Sequence, residues 1–158
     1  MIVIGYQGIG KSTLAKRSDR YIDLESGSFW VDGVRAEDWY KVYCNIAEHL
    51  SKQGYIVFVS SHEVVRNRLA CSSEDVVLVY PNIKLRDAWI ARLNDRYLYT
   101  GLEKDYKALM NALDNYATSF DDMERCNIDH KIIINTMNYD LEAALIHHFN
   151  VVHDIVGD

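Results

Sequence analysis

At 158 residues, with 49% hydrophobic and 25% charged residues, the chain has the length and balance of one soluble globular domain with a substantial core. A net charge of -6 disfavours a nonspecific duplex-binding surface, although bound nucleotide phosphates need only a local positive site. No run approaches 18 apolar residues, which excludes a membrane-spanning helix, and the N-terminus lacks the charged lead and long apolar stretch of a signal peptide. Cys44, Cys71 and Cys126 are widely spaced and form no C-x-x-C pair. They read as buried, reduced thiols in a reducing, cytoplasmic setting.

The elements follow in chain order. Residues 2–4 (IVI) are expected as a short buried strand and residues 12–17 as the start of a helix. Between them Gly5, Gly10, Lys11 and Ser12 match the phosphate-binding pattern G-x-x-x-x-G-K-[ST], with an extra glycine at Gly8. Glycines let backbone N–H groups approach phosphate oxygens, the lysine reaches the outer phosphates, the serine hydroxyl ligates Mg²⁺, and the following helix aims its positive end at the anion.

Residues 21–23 suggest a second strand, and residues 26–33 a glycine-punctuated loop. Residues 36–53 read as a helix with Trp39, Tyr43, Ile46, Ala47 and Leu50 on one face, capped by Gly54. Residues 55–59 (YIVFV) form a buried strand that ends in Ser60, Ser61 and His62, followed by a short helix over 63–70. Residues 75–80 are the next strand, closed by Pro81. A helical pattern over 83–98 carries Leu85, Trp89, Ile90, Leu93 and Tyr97 as its apolar stripe, and Gly101 breaks it. A longer helix from 103 to about 125 carries Tyr106, Leu109, Met110, Leu113 and Tyr116 on one side. Residues 131–135 are a strand, 141–149 a closing helix, and 151–156 a final short strand.

Alternating strands and helices with apolar strand runs predict an α/β protein: three layers around a mostly parallel five-stranded sheet. Ligands in such sheets bind beyond the carboxyl ends of the strands. That rule gathers residues 5–12, 23–26, 60–62, 80–82 and 135–138 along one edge.

With a P-loop at its N-terminus, a short α/β domain and an arginine-bearing helix leading into a helical excursion, the sequence resembles the nucleoside-monophosphate-kinase-like P-loop phosphotransferases. This group includes adenylate-kinase-like, shikimate-kinase-like and related small-molecule kinases. Only residues 5–13 carry a specific motif; the rest of the resemblance is order and spacing. It implies ATP and Mg²⁺ as cofactors, with ATP on Gly8, Ile9, Gly10, Lys11, Ser12 and Thr13. It also implies a helical, lid-like excursion whose arginines close over the transferring phosphate, here residues 85–104 with Arg92 and Arg96. These two are four residues apart and share a helix face. Their planar forks suit phosphate, while the bland alternative pairs them with Asp87 and Asp95 on a solvated flank.

Asp23, at the end of the second strand, is open between an Mg²⁺ ligand or proton acceptor and a loop carboxylate capping N–H groups. The resemblance further implies an acceptor-phosphate arginine soon after the third strand, nearest at Arg66, with Arg35 the other candidate. It places adenine near the loop after the last strand, at Asn135 and Thr136, where Asn138 is alternatively a cap for the last helix. Phe29 and Trp30 are either core or a stacking surface for a base, and His62 reads as a cap for the helix after it. One departure stands out. Many P-loop enzymes end the third strand with an Mg²⁺-holding aspartate, and here it ends Ser60-Ser61-His62.

The expectation is an ATP-dependent phosphotransferase acting on a small acceptor, foremost a (deoxy)nucleoside monophosphate. The alternatives are an ATP-binding accessory protein without efficient transfer and a polynucleotide 5′-hydroxyl kinase, the latter disfavoured by the acidic balance.

Overall fold

The computed structural model describes the backbone of residues 1–153 and the side chains of residues 1–148. Its centre is strand β1 (Ile2–Gly5), whose apolar side chains are fully buried. Burying each such side chain contributes about 1.5–3 kcal/mol. Around it lie β2 (Tyr21–Asp23), β5 (Ile56–Ser60), β6 (Val76–Pro81) and β7 (His130–Ile134) in the order β2-β5-β1-β6-β7, and every neighbouring pair is parallel. Parallel strands covered on both faces need continuous apolar runs, which is why IVFV and VVLVY lack strict alternation.

The helices are α1 (Lys11–Ala15), α2 (Trp39–Lys52), α3 (Glu63–Leu69), α4 (Arg86–Thr100), α5 (Glu103–Arg125) and α6 (Leu141–His153). From β1 the chain crosses to β2 at one edge of the sheet, and from β6 it passes through α4 and α5 to β7 at the other. The connections therefore diverge between β1 and β6, and a crevice opens at their carboxyl ends. Gly5 aligns there with Ser60 of β5 and Val79 of β6.

Several expectations change. In place of the loop expected over 26–33, residues 26–35 form a short 3-10 turn (Ser26–Phe29) and a hairpin of β3 (Trp30–Val31) and β4 (Val34–Arg35). Asp32 and Gly33 turn it, with φ of 51° and 77°, the geometry a two-residue hairpin prefers. Pro81 is itself the last residue of β6. Residues 151–153 continue α6, so the short strand expected over 151–156 does not begin there; 154–156 lie outside the described residues. The region 85–104 is a 3-10 turn (Ile83–Leu85), α4 and the tight turn at Gly101 into α5. On α5, Leu109 and Tyr116 are buried, but Tyr106, Met110 and Leu113 are exposed. Of the cysteines only Cys44 is buried, with its thiol pushed up to about 11 by desolvation, and Cys71 is exposed. No helix among the described residues is long and apolar enough to cross a membrane.

Candidate functional site

The loop between β1 and α1 is shaped by close packing. A side chain at Gly5 would place its Cβ 2.3 Å from Ile9 Cδ1 and 3.0 Å from Lys11 Cδ, so the buried isoleucine would have to shift to admit it. Gly8 has φ of 87° and α4 directly against it: a Cβ there would lie 3.0 Å from Leu93 Cδ2 and 3.1 Å from Trp89 Nε1. The first constraint falls on a motif glycine and the second on the extra glycine inside the loop.

The loop's carbonyls are held from outside. Trp89 Nε1 donates to the Gln7 carbonyl at 2.8 Å, Arg92 Nη1 to the Gly8 carbonyl at 3.4 Å, and Tyr139 Oη to the Ile9 carbonyl at 2.7 Å. Arg92 also donates to Tyr139 Oη (3.0 Å) and to the Met137 carbonyl (3.1 Å). Its guanidinium lies 4.6 Å from the Trp89 ring centre. Arg92 thus ties α4 to the β7–α6 loop across the glycine-rich loop. The first amides of α1 have no carbonyl one turn back, and no side chain caps that end.

Lys11 Nζ donates to the Gly5 carbonyl at 2.9 Å. Desolvation lowers its pKa to about 8, opposed by Asp23 and Glu25 and reinforced by Arg96. Asp23 is pushed up from the usual carboxylate value, first by desolvation, with Lys11 pulling it back. Lys104, at the start of α5, lies 3.9 Å from Glu25 and also acts on Asp23. Lys11, Asp23, Glu25, Arg96 and Lys104 therefore share one electrostatic neighbourhood, in which α1, the end of β2 and the α4–α5 turn converge. Arg96 pairs there with buried Asp105 (2.9 Å), not with Asp95, and Asp105 also accepts from Thr100 Oγ1.

A cleft of about 650 Å³ opens on the other side of the loop, lined by Gly8, Ile9, Gly10, Thr13, Arg17, Arg92, Asn138, Tyr139 and Glu142, among others. Asn135 and Thr136 do not line it. Asn135 accepts from Asn82 Nδ2 at 2.9 Å, and Thr136 Oγ1 accepts from the Asn138 amide at 3.3 Å. Asp140, rather than Asn138, caps α6 by accepting from the Ala143 amide.

A second cluster lies beyond the end of β5. Arg66 is 94% buried by its 6% exposure, and donates to the Ser61 carbonyl (3.0 Å) and the Asp122 carbonyl (3.3 Å). Among the described residues no carboxylate is within ion-pair distance of it. Arg35 stacks over Trp39 at 3.9 Å and over Trp30 at 4.7 Å. Phe29 packs against Trp39 and Tyr43, whereas Trp30 is 47% exposed. His62 does not cap α3 with its side chain; its Nδ1 lies 2.7 Å from Ser60 Oγ and its ring meets Trp39 edge-on. Desolvation within the cluster, then Arg35, Lys11 and Arg66, lower its pKa to about 4. The residue is exposed at its rim, so solvent screens part of that effect.

Fitness for Mg²⁺ follows from the donor set. No group of three or more His, Cys, Asp or Glu side chains among the described residues forms a metal cage. Mg²⁺ commonly uses one or two protein oxygens, with water and phosphate supplying the rest. The Ser12 hydroxyl at the start of α1 and the Asp23 carboxylate beside Lys11 fit that pattern.

Sequence reasoning missed the clamp made by Trp89 and Tyr139. Trp89 registered only as part of an apolar stripe, and its indole N–H target lies 82 residues away. No protein-family model matches the chain, and no curated protein matches it.

Proposed function

We propose that the chain is an ATP·Mg²⁺-dependent phosphotransferase of the P-loop type, acting on a small acceptor that itself carries phosphate, foremost a nucleoside monophosphate. One observation carries the reading. Two cationic sites share the sheet edge: Lys11 in the G-x-x-x-x-G-K-S loop, and buried Arg66 with Arg35, neither of which has a carboxylate within ion-pair distance among the described residues. Their mutual influence is felt at His62, which both Lys11 and Arg66 act upon. A buried guanidinium bound only to carbonyls is costly unless an anion completes it. A donor triphosphate at the first site and an acceptor phosphate at the second meet the in-line demand of phosphoryl transfer.

In this reading the triphosphate follows residues 8–13, and the 650 Å³ cleft beside Arg17 and Tyr139 takes the donor's nucleoside. Mg²⁺ supplies charge neutralisation between phosphates, with Ser12 and Asp23 as its protein ligands. Lys11 stabilises charge on the transferred group, and Arg96, whose guanidinium faces the same neighbourhood, adds to it. Arg92, engaged with three partners on the loop's far side, holds the loop rather than reaching the transferred phosphoryl.

A second reading, a nucleotide-binding accessory protein without efficient transfer, is favoured by the Ser60–His62 pair standing where an acid ends this strand in many P-loop enzymes. ADP release measured across nucleoside monophosphates, sugars and shikimate-like acids separates the two. The first reading expects acceptor-dependent turnover that Lys11→Ala abolishes; unchanged turnover in that variant sinks it.

A further inference from the structure

We propose that Tyr139 and Trp89 are positioning residues for the glycine-rich loop: their donors fix the direction of its carbonyls so that the amides that follow them face a bound polyphosphate. The inference rests on the reading of this loop as a phosphate site. Its physical basis is the planar trans peptide, in which the carbonyl of one residue and the amide of the next point in opposite directions. Fixing the Gln7 carbonyl on Trp89 at 2.8 Å therefore aims the Gly8 N–H the other way. Fixing the Ile9 carbonyl on Tyr139 at 2.7 Å does the same for the Gly10 N–H.

These two peptides are also the ones most prone to turn over. Each ends in a glycine held at positive φ, 87° at Gly8 and 105° at Gly10, and glycine occupies the alternative conformation at little cost. A flipped peptide would present a carbonyl dipole to the space the phosphate oxygens need. The intervening peptide is restrained differently: the Ile9 amide bonds back to the Tyr6 carbonyl, and Arg92 meets the Gly8 carbonyl. The two latches come from different elements and support each other. The Trp89 and Tyr139 rings stack with centres 6.1 Å apart and planes 17° from parallel, and Trp89 is fully buried.

The test uses the full chain with Tyr139→Phe, which keeps the ring and removes only the hydroxyl, and Trp89→Phe as the companion. The probe is inorganic tripolyphosphate with Mg²⁺, which engages the loop and no nucleoside pocket. Binding is measured by calorimetry, and glycine amides are followed by ¹⁵N NMR. Wild type is expected to bind with Gly8 and Gly10 amide shifts. Tyr139→Phe is expected to bind about tenfold more weakly, since the hydroxyl's bonds to the Ile9 carbonyl and from Arg92 are both lost. It should lose the Gly10 response and keep that of Gly8, with Trp89→Phe showing the converse. A purely structural role would weaken both responses together. Equal loss of both, or wild-type affinity in Tyr139→Phe, overturns the inference and leaves the phosphate-site reading standing. Absence of tripolyphosphate and ATP binding in wild type overturns that reading and the inference with it.

Discussion

The ammonium of Lys11 donates to the carbonyl of Gly5, six residues earlier in the same loop, at 2.9 Å. A half-buried cation is thus satisfied by a neutral carbonyl, with Asp23 and Glu25 offsetting its desolvation only in part. Such a charge favours ligand over stability. Lys11→Met is therefore expected to melt no lower than wild type, while Mg²⁺·ATP is expected to raise the melting temperature of wild type and not that of the variant. Differential scanning fluorimetry with and without nucleotide checks both halves. The titration gives the same sign: Lys11 holds its proton to about pH 8 when folded and to 10.5 when unfolded, so the unfolded state binds more protons between them. The Lys11-dependent part of stability rises with pH across that window and is absent in Lys11→Met.

Gly5→Ala and Gly8→Ala should each destabilise for a different reason. The first forces a Cβ to 2.3 Å from Ile9 Cδ1, and the second combines a φ of 87° with contacts at 3.0–3.1 Å to α4. A cost of about 1–3 kcal/mol is expected for each, which thermal denaturation reads as a fall of ~2–4 °C per kcal/mol.

Much of this was legible in the sequence. The strand-loop-helix around Gly5 was legible because the motif couples local residue types to one backbone path. The parallel sheet was legible because IVI, YIVFV and VVLVY are too apolar for a sheet with a wet face. The hairpin at Trp30–Arg35 left a signal, Asp32-Gly33, but its strands are two residues each and largely exposed, so no alternation announces them. On α5 the periodicity marked a stripe without its centre: the core takes Asp105, Leu109, Ala112, Tyr116 and Met123, rotated from Tyr106, Met110 and Leu113. The clamp on the loop carbonyls was not legible. Its donors come from residues 82, 84 and 130 positions away from their acceptors, and donors so distant leave no spacing to find.

Asp105 is a buried carboxylate that joins α5 to Arg96 and Thr100 of α4. Asp105→Asn is expected to cost about 1–3 kcal/mol, the range for unmaking buried hydrogen bonds to a charged group. A double-mutant cycle with Arg96→Met in urea should show non-additivity of at least ~0.5 kcal/mol. Strict additivity would show that the pair contributes nothing.

His62 supplies a second pH signature. Folded, it stays neutral down to about pH 4; unfolded, it takes a proton near 6.5. The unfolded state binds more protons between those values, so this contribution is fully present above pH 6.5 and is lost as pH falls towards 4. His62→Gln should therefore lose melting temperature less steeply than wild type between pH 6.5 and 4, by an amount reduced through solvent screening at its exposed rim. Parallel slopes for the two proteins would contradict the environment described for the ring.

Arg66→Met tests the proposed acceptor site without touching the loop. Its buried guanidinium bonds only carbonyls, so an apolar replacement of similar length should retain the fold. A raised KM for the acceptor with KM for ATP unchanged is expected in steady-state kinetics; equal change in both would detach Arg66 from acceptor recognition.

The most direct measurement follows the γ-phosphoryl itself. Purified protein is incubated with Mg²⁺ and ATP labelled at the γ-phosphate, together with each nucleoside monophosphate in turn. Label is expected in a nucleoside diphosphate for at least one acceptor, lost with Lys11→Met and without Mg²⁺. ATP binding with no transfer to any nucleoside monophosphate would contradict the proposed function.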